Sequence, residues 1–206
     1  VSELISMVLQ AFVDDGNQIL VPALDYPLWT GAVSLTGGTP VHYLCDEENG
    51  WNPDLADIES KITENTHALV VINPNNPTGT FIEGAKLEAF LDKVPRNVVV
   101  VLDEAYTEYL PEAKRYDSIA WVRRYPNLLV SRTFSKAFGL AGLRVGFAIA
   151  QPELTDLLNR LRQPFNVNTL AQAAAIAALN DGDAPALGAA MNRAHAVLAE
   201  LGLSLP

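Results

Sequence analysis

Short apolar runs that alternate with amphipathic stretches restrict the fold of this chain more than any other feature. Residues 68–72 are continuously apolar, as expected of a strand that is buried on both faces of a sheet. Residues 98–102 have the same character, and the amphipathic stretch 85–91 separates the two runs. Strands that alternate with helices predict an α/β fold, a three-layer α/β/α sandwich with a mostly parallel central sheet.

The same patterns predict further strands and helices along the chain. The other predicted strands are residues 19–22, 41–44, 127–131 and 143–150. The other predicted helices are residues 2–13, 29–35, 53–62, 118–124, 153–161, 170–179 and 186–201. Because ligands of such sheets lie at the carboxyl ends of the strands, we expect the functional residues in the loops that follow the strands.

Composition and charge exclude several classes of function. The formal net charge of -10 argues against a nucleic-acid partner, because an acidic chain repels phosphate backbones. Cys45 is the only cysteine, so no intramolecular disulfide can form, which fits a reducing compartment. The histidines show no ligand spacing, and no apolar run approaches the roughly 20 residues that span a bilayer. We therefore expect a soluble cytoplasmic protein with no metal site and no membrane contact.

Two candidate ligand-binding segments follow the two apolar runs. The string NPNNPTG at 73–79 is a rigid turn, which either only ends a strand or points an asparagine amide at a ligand oxygen. Asp103 ends the second run, where a carboxylate is costly to bury unless it is paired. It could hold a protonated pyridine nitrogen, with Tyr106 donating to a phenolic oxygen; alternatively, Asp103 is a helix N-cap. Tyr26, after the first strand, either covers a flat ring or is a packing aromatic.

The segment SRTFSKAFGLAGLRVG at 131–146 carries a lysine among small and apolar residues. A lysine in such surroundings can lose its proton, and the free amine of Lys136 could then form a Schiff base. Thr133, Ser135 and Arg144 could bind a phosphate, to which the guanidinium would make a forked contact. The glycines do not spell the dinucleotide fingerprint, which gives a nucleotide site little support.

Together and in this order, these segments resemble the class I/II aminotransferases of the pyridoxal-phosphate (PLP) fold type I. Segments 98–110 and 131–146 are very similar to histidinol-phosphate aminotransferases. The resemblance implies that Lys136 is the Schiff-base lysine and general acid/base, and that Asp103 pairs with the pyridine nitrogen. It assigns the phenolic oxygen to Asn76 and Tyr106, and the face of the ring to Tyr26. It assigns the phosphate to Thr133, Ser135, Arg144 and the backbone amides of Val1 and Ser2.

The group of aminotransferases that the sequence most resembles changes along the chain. Before about residue 73 the sequence looks more like alanine (glutamate–pyruvate) aminotransferases, which favours a chimera over a divergent natural member. The resemblance also implies that residues 1–206 form the PLP-binding large domain alone, without the family's N-terminal arm and C-terminal small domain. It implies a homodimer as well, because family members complete each site with a tyrosine from the partner subunit.

The resemblance implies PLP-dependent transamination between a small-molecule amino donor and a 2-oxo acid. Histidinol phosphate with 2-oxoglutarate is the favoured pair, and alanine with 2-oxoglutarate is the alternative. A β-lyase or decarboxylase on the same fold is a second possibility, because a fold does not determine a function. A third is a truncated or engineered scaffold that binds PLP without turnover.

Overall fold

The computed structural model of the chain describes residues 1–25 and 27–181, which form two compact units. The first unit comprises Val1–Arg132 and Phe147–Arg162. Among the described residues, the second comprises Thr133–Gly146 and residues 163–181. Tyr26 and the predicted helix at 186–201 lie outside the described residues.

Eight strands are present in the described residues. They are β1 (Gln18–Pro22), β2 (Thr39–Tyr43), β3 (Cys45–Asp46), β4 (Asn52–Pro53), β5 (Thr66–Ile72), β6 (Val99–Asp103), β7 (Leu128–Thr133) and β8 (Gly146–Ile149). Six of them form one sheet in the order β2-β1-β5-β6-β7-β8, and β3 pairs with β4 in an antiparallel ribbon. The pairs β1–β2, β1–β5, β5–β6 and β6–β7 are all parallel, so the predicted sheet type is confirmed.

The helices follow the strands in alternation. They are α1 (Ser2–Phe12), α2 (Leu28–Leu35), α3 (Leu55–Lys61), α4 (Gly84–Leu91), α5 (Ser118–Arg124), α6 (Pro152–Leu161) and α7 (Thr169–Asp181). Short 3-10 segments occupy Thr107–Tyr109, Glu112–Lys114 and Ala141–Leu143. No helix in the described ranges is long and apolar enough to cross a membrane.

The central strands contain continuous apolar runs because the first unit has a hydrophobic core on each face of the sheet. Along β5, Leu69 and Val71 belong to one core, whereas Val70 and Ile72 belong to the other. Buried side chains of α3, α4 and α5 complete the first core, and those of α1, α2 and α6 complete the second. A strand whose alternate side chains enter two cores has no polar face, and the result is the predicted three-layer α/β/α arrangement.

The predicted strand at 143–150 is wrong over its first residues. Ala141–Leu143 forms a 3-10 turn, and Arg144 follows it with a left-handed φ of 53°. Because a left-handed residue turns the chain sharply, the strand begins only at Gly146. The two-residue strands β3 and β4 were not predicted, because a ribbon this short has no measurable alternation.

The register of the sheet places three strand ends side by side. Ile72 pairs with Asp103, and Asp103 pairs with Ser131. The loop that starts at Asn73 and the turn after Asp103 therefore lie at the same carboxyl edge of the sheet. This is the edge at which ligands of open α/β sheets bind.

Candidate active site

Asp103 is the last residue of β6, and only 6% of its surface is exposed. Its Oδ1 accepts a 3.1 Å hydrogen bond from the backbone N–H of Ala105. Burial raises the pKa of the Asp103 carboxyl, and the Ala105 N–H and the side chains of Ser131 and Trp29 offset part of that rise. A buried carboxyl whose pKa is raised is stabilised by a cationic or proton-donating ligand. A protonated ring nitrogen is a ligand of this kind.

The alternative role of Asp103 as a helix N-cap is wrong. The chain beyond it forms only a short 3-10 segment, Thr107–Tyr109, which Tyr106 precedes. The carboxyl is therefore not used to cap an α-helix.

Asn76 and Tyr106 lie in different loops and meet through their side chains. The Nδ2 of Asn76 donates a 2.8 Å hydrogen bond to the hydroxyl oxygen of Tyr106, and both residues are half-buried. The loop after β5 and the loop after β6 are thus joined at the carboxyl edge of the sheet. The contact brings two of the predicted site residues together, and their role in holding a ligand oxygen stays a prediction.

The loop that carries Asn76 is held by its own polar side chains. The Oδ1 of Asn75 accepts hydrogen bonds from the backbone N–H and the hydroxyl of Thr78, at 3.3 and 2.9 Å. The hydroxyls of Thr78 and Thr80 lie 2.7 Å apart. Gly79 has a φ of 70°, a conformation that glycine adopts without strain. The interpretation of NPNNPTG as only a turn therefore holds for most of its residues. Asn76 is the residue of this string whose side chain contacts Tyr106.

Asn73 is a structural residue of the site that the sequence analysis missed. It is 1% exposed and closes the loop by two bonds to Ile82, with its Nδ2 3.0 Å from the carbonyl oxygen and its Oδ1 2.8 Å from the N–H. Its Nδ2 also lies 2.7 Å from the hydroxyl oxygen of Tyr116. The available signal was a polar residue directly after a fully apolar strand, where burial requires a partner.

A buried ion pair next to Asp103 was also missed. Glu104 is fully buried, and its Oε2 accepts hydrogen bonds from the Nε of Arg132 at 2.9 Å and the hydroxyl of Ser118 at 2.8 Å. Burial raises the pKa of the Glu104 carboxyl, whereas the charge of Arg132 lowers it. This pair joins the turn after β6 to β7, directly before the lysine segment.

Residues 133–146 of the lysine segment belong to the second unit, and this part is folded back on itself. The backbone N–H of Phe134 donates to the carbonyl of Val145 at 3.2 Å, and that of Leu140 donates to the carbonyl of Phe134 at 2.9 Å. Thr133 is buried, and its Oγ1 accepts a 3.1 Å hydrogen bond from the backbone N–H of Ser135. The Thr133 hydroxyl is therefore in direct contact with the backbone of Ser135, two residues further along the chain.

Lys136 and Arg144 both lie within this fold-back, between Phe134 and Val145. The sequence predicted apolar surroundings for Lys136. Among the described residues Lys136 is exposed, so this expectation is not met. Arg144 is also exposed, and its Nη1 donates to the carbonyl of Ala141 at 3.0 Å. The guanidinium carries further N–H groups, which suit a phosphate.

The amino end of α1 supplies the remaining predicted contacts. The helix begins at Ser2, and the carbonyl of Val1 accepts the first helical hydrogen bond from Ile5 at 3.0 Å. Backbone N–H groups and the positive end of the helix dipole make this position suitable for an anion.

The structure thus places the predicted residues in two groups. Asn76, Asp103, Tyr106, Val1 and Ser2 lie in the first unit. Thr133, Ser135, Lys136 and Arg144 lie in the second. Within the described residues, no group of three or more His, Cys, Asp and Glu side chains could hold a metal ion.

The sheet order and the residues at its strand ends define an α/β/α protein of the PLP-transferase fold. The model of the family "Aminotransferase class I and II" matches residues 1–201. The chain belongs to this family.

Curated relatives and solved structures agree. The chain is 52% identical to histidinol-phosphate aminotransferase 1 of Cupriavidus pinatubonensis over 193 residues, which are 94% of this chain and 50% of that protein. It is 51% identical to histidinol-phosphate aminotransferase 2 of Ralstonia nicotianae, over 94% of this chain and 51% of that protein. The chain therefore spans about half the length of the curated relatives that it matches.

Two solved structures illustrate the likeness of the fold. Alanine aminotransferase from Pyrococcus furiosus has a TM-score of 0.79 and 35% identity, covering 93% of this chain and 50% of that one. Histidinol-phosphate aminotransferase from Sinorhizobium meliloti, solved in complex with pyridoxal-5'-phosphate, has a TM-score of 0.81 and 28% identity, covering 97% and 55%. A match to one relative across 94% of the chain extends on both sides of residue 73. It offers no support for a chimeric origin, which stays a prediction.

Proposed function

We propose that this chain forms the PLP-binding large domain of an aminotransferase that acts on histidinol phosphate and 2-oxoglutarate. The observation that carries the proposal is the buried carboxyl of Asp103 at the same sheet edge as the Asn76–Tyr106 pair. Family membership and two curated relatives named as histidinol-phosphate aminotransferases support it.

The first unit offers the groups that a pyridine ring requires. PLP, when bound, supplies a conjugated ring that stabilises negative charge on the substrate carbon from which a proton is removed. The Asp103 carboxylate would hold the proton on the ring nitrogen, which would also compensate the cost of its own burial. Asn76 and Tyr106 would hold the phenolic oxygen, and Tyr26 would cover one face of the ring.

The phosphate of the cofactor would be held by hydroxyl, guanidinium and amide donors. Thr133 and Ser135 lie next to each other, and Arg144 presents an exposed guanidinium. The backbone amides of Val1 and Ser2 would complete the set at the amino end of α1. Such donors are needed because the net charge of -10 opposes the binding of an anion elsewhere on the protein.

Lys136 would carry the chemistry. Its ε-amine would bond the cofactor aldehyde and, during turnover, take and return a proton at the substrate carbon.

The substrates and the assembly are the finer parts of this proposal. Alanine is the second amino donor to consider, because the fold also matches an alanine aminotransferase at 35% identity. The family resemblance further suggests a homodimer. The cytoplasmic location stays a prediction.

The first test is retention of the cofactor. The purified chain is mixed with PLP, desalted, and examined for visible absorption as wild type, Lys136→Ala and Lys86→Ala. Lys86 is an exposed lysine of α4 and provides the matched control. We expect a retained band in the wild type and in Lys86→Ala, and its loss in Lys136→Ala. An equal band in all three proteins would contradict the role of Lys136.

The second test concerns the reaction. The PLP-loaded chain is incubated with 2-oxoglutarate and either histidinol phosphate or alanine, and glutamate is measured. We expect glutamate from histidinol phosphate in excess of that from alanine. A third incubation uses cysteine, which unlike alanine carries a leaving group on its β-carbon: pyruvate, ammonia and sulfide without glutamate would indicate a β-lyase. No product from any donor would favour a scaffold without turnover.

A further inference from the structure

Tyr116 lies outside the strands and helices, yet its ring is closely confined. The ring stacks on Trp121 with a centroid distance of 4.8 Å and an interplanar angle of 10°. Phe81 stacks on it at 6.2 Å and 20°. A Cβ atom at Gly84 would lie 2.9 Å from the Tyr116 Cβ, so α4 approaches the ring as closely as a glycine allows. Packing around the ring therefore fixes the direction of the hydroxyl.

The hydroxyl of Tyr116 lies between an amide and a carboxylate. Its oxygen accepts a 2.7 Å hydrogen bond from the Nδ2 of Asn73. Burial raises the pKa of Tyr116, and the negative charge of Glu104 raises it further, which keeps the hydroxyl protonated. Glu104 is itself held in place by Arg132 and Ser118.

The same Asn73 amide determines the shape of the next loop. Asn73 is bonded through its side chain to both backbone groups of Ile82, so the two ends of the loop at 73–82 are held together by one amide group. Asn76 lies inside that loop and donates to Tyr106. Only two residues separate Asn73 from Asn76, so the orientation of the Asn73 side chain bears on the placement of Asn76.

We propose that Tyr116 is a positioning residue whose hydroxyl, bonded to the Asn73 amide, fixes the loop that holds Asn76 against Tyr106. The inference rests on the proposed function, in which Asn76 and Tyr106 hold the phenolic oxygen of the cofactor. Tyr116 touches neither cofactor nor substrate in this scheme. Its contribution is to position the two donors, Asn76 and Tyr106.

The variant Tyr116→Phe tests this role, because it removes the hydroxyl and keeps the stacked ring. Tyr125→Phe is the matched control, since Tyr125 is also buried and its hydroxyl donates to Asp92 at 2.8 Å, away from the loop at 73–82. The first measurement needs no cofactor: amide hydrogen exchange in the loop at 73–82. We expect exchange there to be about fivefold to tenfold faster in Tyr116→Phe, as for the loss of one buried hydrogen bond. We expect no change there in Tyr125→Phe.

The second measurement uses the PLP-loaded protein. The visible absorption of the bound cofactor is recorded against pH for the wild type and both variants. Donors to the phenolic oxygen stabilise its negative charge. If Asn76 and Tyr106 are less well placed, that charge is less stabilised, and a proton next to the oxygen is released only at higher pH. We expect the pH midpoint of the absorption change to rise in Tyr116→Phe and to stay unchanged in Tyr125→Phe.

The two measurements separate this inference from the proposed function. If the wild type retains no cofactor, the proposed function fails, and the exchange data alone decide whether Tyr116 holds the loop. Unchanged exchange in the loop, or faster exchange spread over the whole chain, would overturn the inference. Faster loop exchange with an unchanged midpoint in a protein that binds PLP would also overturn it, because Tyr116 would then only stabilise the loop.

Discussion

The Nδ2 of Asn76 lies 2.8 Å from the hydroxyl oxygen of Tyr106, although the two residues are 30 positions apart in the sequence. The bond joins the loops that follow two neighbouring strands of the sheet. It is the direct link between two of the predicted site residues, and its strength can be measured in the absence of any ligand.

The first prediction concerns this bond. Asn76→Ala, Tyr106→Phe and the double variant form a cycle in which we expect a coupling free energy of about 0.5–1.5 kcal/mol. Chemical unfolding of the cofactor-free chain provides the free energies. Tyr106→Phe combined with Tyr125→Phe is the control pair, and it should be additive because Tyr106 bonds to Asn76 whereas Tyr125 bonds to Asp92. A coupling of zero for the first pair would show that the bond is not formed in solution.

The second prediction concerns the carboxyl of Asp103. Burial raises its pKa in the folded chain above the unfolded value of about 3.9, so the folded chain holds the proton more strongly. The resulting stability is fully present below that unfolded value and is lost as the pH rises through the raised pKa. We expect Asp103→Asn to make the cofactor-free chain more stable than the wild type at neutral pH, and to flatten the decline of stability above pH ~4.

The same variant should bind PLP less tightly. A hydrogen bond to a charged group contributes about 1.5–3 kcal/mol, so we expect retention of PLP to weaken roughly tenfold to hundredfold. Thermal unfolding across the pH range, together with PLP titration, gives both quantities. An Asn variant that is less stable at neutral pH and binds PLP normally would contradict the proposed role of Asp103.

The third prediction concerns the buried ion pair. Glu104→Gln leaves the guanidinium of Arg132 without its counter-charge, and the Arg132 side chain is only 20% exposed. Breaking a buried pair in this way costs about 3 kcal/mol of unfolding free energy. Glu59→Gln is the control, because Glu59 pairs with Lys93 on the surface, where ion pairs contribute little. Urea unfolding that shows equal effects for the two variants would indicate that Arg132 is solvated.

The fourth prediction compares two glycines. A Cβ at Gly38 would lie 2.6 Å from Cγ1 of Val13 and 3.2 Å from Cγ1 of Val33. We expect Gly38→Ala to destabilise the fold by about 1–3 kcal/mol through overpacking. Gly31 lies inside α2 with open space around it, so Gly31→Ala should stabilise by roughly 0.5–1 kcal/mol. Thermal unfolding checks both values, and a neutral Gly38→Ala would show that α1 and α2 can shift apart.

The sequence by itself determined the layered architecture and the edge at which the site lies. Apolar runs such as residues 68–72 are continuous only where both faces of a strand are buried, so their presence predicts parallel strands between helix layers. The predicted helix at 118–124 agrees with the structure at both ends. Asp103 was identifiable because a carboxylate that ends such a run is costly to bury without a function.

Only the tertiary structure decided which side chains meet. Asn73 with Tyr116, Glu104 with Arg132 and Asn76 with Tyr106 are each separated by at least 28 residues, so no local pattern could pair them. Contacts of this kind depend on strand register and on the packing of loops, which the chain acquires only on folding. The exposure of Lys136 has the same origin, because burial is a property of the neighbours in space and not of the neighbours in sequence.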